Sequence, residues 1–365
     1  MTRYIVRRVI GAIPVLVIIS FLIYGILLIA PGGPEARFAQ NPRITQQQVE
    51  AFRHRWGLDQ PVPVQYCRWL GACNPDGQGL GVFISNQGLP NILPGFLGGG
   101  DNGILHGDFG FSIRDGRPVS TVIGERIVPT AILAGTAYLI WVIIALLTGI
   151  YSAVRRYGLF DSAMTVFSYV GYSLPTFWLG IMLLTIFTSS LKILPAGGMW
   201  SARTVPIFGT PEYATYFGAH TFDALADLAT HLILPVFTLV VVSVAYDARF
   251  VRASMLDSLN QDYVRTARAK GVPERLVIVK HAFRNALLPI ITNIGLEIPF
   301  LFSGAIVTES IFSWPGMGRG FIEAVNNFDY PVLMGILIIT ALLVVLANLL
   351  ADIMYAVVDP RITYA

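Results

Sequence analysis

The chain alternates long apolar runs with shorter polar stretches. Residues 9–30, 131–154, 162–191 and 331–351 hold no Asp, Glu, Lys or Arg. Residues 228–246 are uncharged and carry His231, and 285–308 are interrupted only by Glu297. Each run is long enough to cross a bilayer, because a helix rises 1.5 Å per residue and about 20 apolar residues cover ~30 Å of hydrocarbon. Membrane-barrel strands instead alternate apolar and polar residues over about ten positions, which these runs do not. The pattern predicts an all-α polytopic membrane protein with six transmembrane helices. Pro175, Pro235, Pro289 and Pro299 fall inside runs and are expected to kink their helices, which packed bundles tolerate.

Three parts follow: 1–30 with the first helix, a long loop at 31–129, and a five-helix core at 130–365. Within the loop, 45–56 reads as a short polar helix capped by Thr45 and ended by Gly57. Residues 71–103 are dense in Gly, Asn, Asp and Pro and read as an irregular insertion. A second polar segment, 192–227, holds Pro195, Gly197, Gly198, Pro206 and Pro211 and reads as loop plus short helix. Arg3, Arg7 and Arg8 before the first run could open a secretory signal; the run is longer than a signal core and no Ala-x-Ala site follows, so it is read as helix one.

Composition agrees with the pattern: 54% of the 365 residues are apolar and 13% charged, too few charges to coat a water-soluble body of this size. The net charge of +3 is spread over loops, which gives nucleic-acid binding no footprint. With six crossings and the N-terminus inside, the inner segments hold Arg3, Arg7, Arg8, Arg155, Arg156, Arg249, Arg252, Arg265, Arg268, Lys270, Arg275, Lys280, Arg284 and Arg361. That is 14 of the 25 basic residues, on the shorter set of loops. The positive-inside rule therefore predicts both termini cytoplasmic and the 31–129 loop outside. Both cysteines, Cys67 and Cys73, lie in that loop, where a disulfide and two separate thiols are both open readings. No metal-ligand spacing is present.

A transporter driven directly by ATP needs a P-loop lysine followed by Ser or Thr. The three lysines are followed by Ile193, Gly271 and His281, so the chain carries no Walker A sequence. Any ATPase must then be a separate subunit, and the longest inner loop, 248–284, is where it would grip. Its centre reads Asp262-Tyr263-Val264-Arg265-Thr266-Ala267-Arg268-Ala269-Lys270-Gly271-Val272-Pro273-Glu274-Arg275. Asp262 can cap a helix through Lys270, Gly271 suits the left-handed closing residue, and Pro273 with Glu274 suits the start of the next helix. The expected unit is helix, sharp corner, helix, at about 262–281. On physics alone it reads equally as a rigid knob that transmits force and as a basic loop that fixes orientation.

This segment, with His281-Ala282-Phe283-Arg284-Asn285-Ala286-Leu287-Leu288-Pro289, resembles the cytoplasmic loop of permeases in dipeptide and oligopeptide ABC importers. Other stretches agree with that family. They include Arg3-Tyr4-Ile5-Val6-Arg7-Arg8, Gly57-Leu58-Asp59-Gln60-Pro61, Gly107-Asp108-Phe109-Gly110-Phe111-Ser112 and Arg117-Pro118-Val119. Glu309-Ser310-Ile311-Phe312-Ser313-Trp314-Pro315-Gly316 and Asp359-Pro360-Arg361 complete the set. The similarity covers nearly the whole chain except 71–103. In the wider class the loop reads Glu-Ala-Ala, three residues, Gly; here Arg265-Thr266-Ala267 replaces the triplet, while Ala267 and Gly271 keep their places.

The resemblance implies a type I ABC importer permease fold in the bacterial inner membrane and a peptide substrate. It also implies a second, paralogous permease as heterodimer partner, two ATP-binding cassette subunits and an extracytoplasmic substrate-binding protein. ATP and Mg would be bound by the ATPase subunits, with no cofactor and no catalytic residue in this chain. The ATPase-coupling residues it implies are Asp262, Tyr263, Arg265, Thr266, Ala267, Arg268, Lys270, Gly271 and Pro273. Importers of nickel, glutathione and oligosaccharides share the architecture.

An acid deep in a span is costly enough to suggest function. Glu297 is read as lining the translocation path with Asn293 and Ser303, as pairing across a subunit interface, or as a protonated structural group. Glu309, Trp314 and Asp329 near the outer boundary read either as a gate or docking contact, or as a belt Trp with satisfied acids. An ion-coupled transporter would show several buried ionisable groups. A membrane-embedded enzyme would show a catalytic signature, and none is present.

Overall fold

In the computed structural model the described residues are 2–29, 45–47, 49–50, 59–71 and 103–358. Helices dominate them, in the order α1 (Thr2–Ile29), α2 (Val62–Leu70), α3 (Val119–Val154), α4 (Leu159–Ser173), α5 (Thr176–Leu183), α6 (Pro211–Ala219), α7 (Thr221–Leu259), α8 (Asp262–Ala269), α9 (Arg284–Gly304), α10 (Ile306–Ile311), α11 (Met317–Asn326) and α12 (Tyr330–Val358). Among the described residues the only strand-like feature is one bridge, Phe111 to Pro118.

Among the described residues, four helices are long and apolar enough to cross a membrane: Val6–Ile26 within α1, α3, α7 and Tyr330–Ile353 within α12. A fifth span arises if α4 and the helix running to Ser190 are taken together, although they are bent by 98°. The sequence led us to expect a kink in one helix over 162–191; the structure has a break. Leu174, ahead of Pro175, is extended at φ −78° and ψ 123°, as the proline ring requires, and Pro175 has no N–H to continue the ladder. Pro235 sits inside α7 without ending it. The stretch at 285–308 forms α9 and the start of α10.

The segment 192–227 holds a loop and the short helix α6, capped by Thr210, whose hydroxyl accepts from the Tyr213 N–H at 3.3 Å. Of the polar helix expected at 45–56, Gln46, Gln47, Val49 and Glu50 are helical and 51–58 lie outside the described residues. The insertion, between Gly71 and Gly103, lies outside them too.

The chain forms two units. The first comprises Met1–Ala12, Ile127–Arg319 and Leu342–Ala365; the second comprises Ile13–Arg126 and Gly320–Ala341. In the first, Leu133, Ala137, Trp141 and Ala145 recur every four residues on α3 and pack with Val236, Val240, Val244 and Ala248, spaced alike on α7. Opposite them on α3, Leu139, Ile143 and Leu147 are exposed. Lipid tails are as apolar as these stripes, so close van der Waals fit, rather than escape from water, holds such helices together. A second cluster joins Val251 and Met255 of α7 to Val264, Ala267, Val277, Ala282, Ala286 and Ile290.

In the second unit, Ile23 and Tyr24 of α1 pack with Tyr330 and Met334, with Tyr66 and Trp69 of α2 against them. Polar ties fix α2 there: the Ser20 and Tyr66 hydroxyls lie 2.7 Å apart, and Tyr24 donates to the Gln65 side chain at 3.0 Å.

Candidate functional site

The corner predicted at 262–281 is present. α8 runs from Asp262 to Ala269, Lys270 closes it, and Gly271 turns the chain at φ +74°, a conformation that glycine adopts without a Cβ penalty. The Gly271 N–H returns to the Arg268 carbonyl at 2.9 Å and the Val272 N–H to Ala267 at 3.2 Å. Two details differ from the expectation. Gln261 is the cap residue and Asp262 the first helical one, with no side-chain cap bond; Asp262 instead faces Arg265 at 3.5 Å. Pro273 precedes a single helical turn, Glu274–Leu276, as its cap rather than lying within it.

One face of α8 is buried. Val264 is 0% and Ala267 6% exposed, three residues apart, and they pack on Val277, Ala282 and Met255. The underside is also bonded: the Tyr263 hydroxyl meets Ser258 at 2.7 Å, and Ser258 donates to the Ala282 carbonyl at 2.7 Å. Arg268 grips Glu274 across the corner with two bonds, 2.7 and 3.1 Å, and this holds the Glu274 carboxyl below its usual range. The other face presents Arg265, Thr266, Lys270, Arg275 and Lys280 with Leu276 and Val279 to the exterior. The arrangement is a rigid, cationic knob with an apolar edge. Ala267, in the position the resemblance carries over, supports the knob from beneath and cannot be read by a partner.

Glu297 is not alone at depth. Asp247, which falls one residue past the uncharged run of 228–246, lies inside α7 and is 1% exposed. Trp141 donates its indole N–H to Asp247 Oδ2 at 2.8 Å, Asn293 donates to Oδ1 at 2.8 Å, and Glu297 lies beside the same group. Of the path candidates, then, Asn293 and Glu297 meet at Asp247, while the Ser303 side chain lies outside the described residues. The signal that would have found Asp247 was the continuation of helical periodicity past Tyr246.

At the other candidate site, Glu309 is 0% exposed and Trp314 0% exposed. Thr130 donates to Glu309 Oε1 at 2.7 Å, the Arg319 N–H donates to Oε2 at 3.0 Å, and the Met317 N–H donates to Thr130 at 2.8 Å. The indole of Trp314 donates to the Pro129 carbonyl at 2.8 Å. A belt tryptophan would face lipid; this one is a core residue. A Cβ on Gly316 would overlap the Glu309 carboxyl, so the hairpin closes only around glycine. Beside it, Ala196 to Trp200 with Ala202, Ser313, Pro315 and Arg319 line an open pocket of about 440 Å³.

Asp329 belongs to a different arrangement. It accepts from the Ser112 hydroxyl, the Ile113 N–H at 3.1 Å and the Arg114 N–H at 3.3 Å, and so anchors the loop bridged at Phe111 and Pro118. Cys67 is 5% exposed on α2 and in disulfide linkage, and Cys73 lies outside the described residues.

Residues 145–364, which include the knob, match the family described as binding-protein-dependent transport system inner membrane component, and 1–78 match its N-terminal region. The chain belongs to this family. This inner membrane component is 38% identical, over the full length of both chains, to the oligopeptide transport system permease protein AppB of Bacillus subtilis. It is 39% identical to a putative peptide permease protein of Brucella suis, over 99% of both chains. It is 35% identical to the glutathione transport system permease protein GsiC of Escherichia coli, over all of both. Such a component is a membrane permease, in keeping with a chain that has no Walker A sequence.

Proposed function

We propose that this chain is one of two paralogous permease subunits of an ATP-driven importer of peptides. The observation that carries the reading is the exposed, firmly backed corner at 262–283 in a chain without a nucleotide-binding sequence. In this reading the chain crosses the inner membrane six times, α9 being one crossing, with both termini cytoplasmic and the loop after α1 outside. Two ATP-binding cassette subunits hold ATP and Mg, and grip the knob through Asp262, Tyr263, Arg265, Thr266, Arg268, Lys270 and Gly271, with Ala267 and Pro273 shaping it. Their closure pushes the knob and swings the bundle from inward-open to outward-open, a rigid-body switch. An extracytoplasmic binding protein delivers the substrate, and the hairpin of Glu309 and Trp314 braces the outer end, as Asp329 braces its loop. A Cys67–Cys73 disulfide would pin the outer loop beside α2.

Peptide as substrate is supported by the full-length relatives named oligopeptide and peptide permeases. Glutathione, itself a tripeptide, is the second reading, supported by the relative at 35% identity.

The complete transporter in proteoliposomes should take up oligopeptides only with its binding protein outside and ATP at the ATPase subunits. Glu297→Gln should change the uptake rate or peptide preference with assembly intact; wild-type uptake of every peptide by that variant removes Glu297 from the path. Solute accumulation by this chain alone would end the subunit reading, and uptake of glutathione without oligopeptides would favour the second substrate.

A further inference from the structure

A second polar site lies in the first unit, where α3 ends and α4 begins, next to Ala153 and Val251 of the cluster that backs the knob. Ser152 of α3, Asp161, Ser168 and Tyr169 of α4, and Arg249 and Arg252 of α7 line a cavity of about 140 Å³. Ser152 is 2% exposed, and its hydroxyl has no hydrogen-bond partner among the described residues. A buried hydroxyl without a partner is costly, and the space far exceeds the roughly 10–15 Å³ one water needs. The cavity is shaped for an occupant that hydrogen-bonds.

Its charge says which kind. Both oxygens of Asp161 are taken: Arg252 donates from Nε at 2.5 Å and from Nη2 at 2.7 Å, and the Tyr157 N–H donates at 2.9 Å. Asp161 is thus committed to holding Arg252 along the wall. Arg249 lies over the Tyr169 ring at 5.8 Å and has no carboxylate partner among the described residues. Two guanidinium groups against one carboxylate leave a net positive charge beside donor hydroxyls. A tetrahedral oxyanion matches that set, since it accepts from hydroxyl and guanidinium alike.

The position agrees. Ser152 is two residues from the end of α3, and Arg155, Arg156 and the exposed Tyr157 follow directly, the residue types that mark a membrane–water boundary. Basic pockets between helices at that level take phospholipid phosphates.

We propose that this cavity is a phosphate-binding site, filled by the phosphodiester of an anionic lipid headgroup or by free phosphate. The test uses the assembled transporter in nanodiscs of phosphatidylcholine doped with phosphatidylglycerol, read by native mass spectrometry for retained lipid. A parallel arm measures binding of radiolabelled inorganic phosphate in neutral detergent. Arg249→Gln should weaken binding about tenfold, the loss of one charge-assisted contact. Ser152→Ala should weaken it several-fold and leave the fold intact. Retention of phosphatidylglycerol over phosphatidylcholine assigns the lipid source, and saturable phosphate binding alone assigns the free anion. Three results overturn the proposal: wild-type binding by both variants, an unmodified complex that binds neither probe and holds only water, or loss of ATPase subunits from Arg249→Gln with anion binding unchanged.

Discussion

The corner at Gly271 and the hairpin at Gly316 lie in the same unit, and each turns the chain at a glycine, yet they treat charge oppositely. At the corner the apolar residues Val264 and Ala267 go under and Arg265, Lys270, Arg275 and Lys280 stay outside. At the hairpin the carboxylate goes inside, met by Thr130 and Arg319, and the indole of Trp314 is sealed over by its own chain. Exposed charges contribute little to a fold but are available to a partner, whereas a buried, fully bonded carboxylate fixes local structure and is costly to disturb. In the reading proposed above, one element is presented to another polypeptide and the other stays still.

Replacing Glu309 attacks that contrast hardest. Glu309→Ala strands the Thr130 hydroxyl and the Arg319 N–H in a sealed core, at roughly 1–3 kcal/mol for each donor. The detergent-purified protein should lose several degrees of thermal stability, and unchanged melting would mean the hairpin is not the fixed element. Gly271→Val comes next. A side chain at φ +74° costs about 1–2 kcal/mol, so the corner opens while the bundle persists. Peptide-dependent uptake should fall sharply with melting nearly unchanged; full uptake would show that the corner's shape is not what the partner grips. The smallest effect concerns Arg268 and Glu274. Burial is slight, so the pair contributes below about 1 kcal/mol. Its stabilisation is complete above the ordinary glutamate value of 4.5 and is lost as pH falls through the lowered value of the folded state. Glu274→Gln should flatten that acid dependence in a hydrogen-exchange measurement at the corner; an identical acid profile would show that the pair does not brace it.

Much of this was legible in the residues. Continuous apolar runs announce membrane helices because a bilayer leaves few other ways to satisfy a backbone. Gly271 announced its corner because few other residues take a positive φ cheaply. What escaped was long-range pairing. Nothing local to Glu309 names Thr130, 179 positions away, as its donor. Nothing near Trp314 says that Pro129 will receive its indole N–H. Asp247 was missed because a charge next to an apolar run reads as the run's end, when Trp141 and Asn293 from other helices make it affordable inside. Pro175 showed that the helix would be disturbed, but the size of the bend depends on packing.

Between the knob and α9 the helix widens over Val277–Phe283 into the five-residue bonding pattern. Each residue in a regular helix carries the chain roughly 100° around the axis, so a wide turn works as a phase-shifter between what lies before and after it. With α8 held from beneath by α7, how Arg265 and Lys270 are phased relative to α9 depends on how many residues this loose coil accommodates. Adding or removing one would swing the handle around its shaft while every side chain in both remained the same.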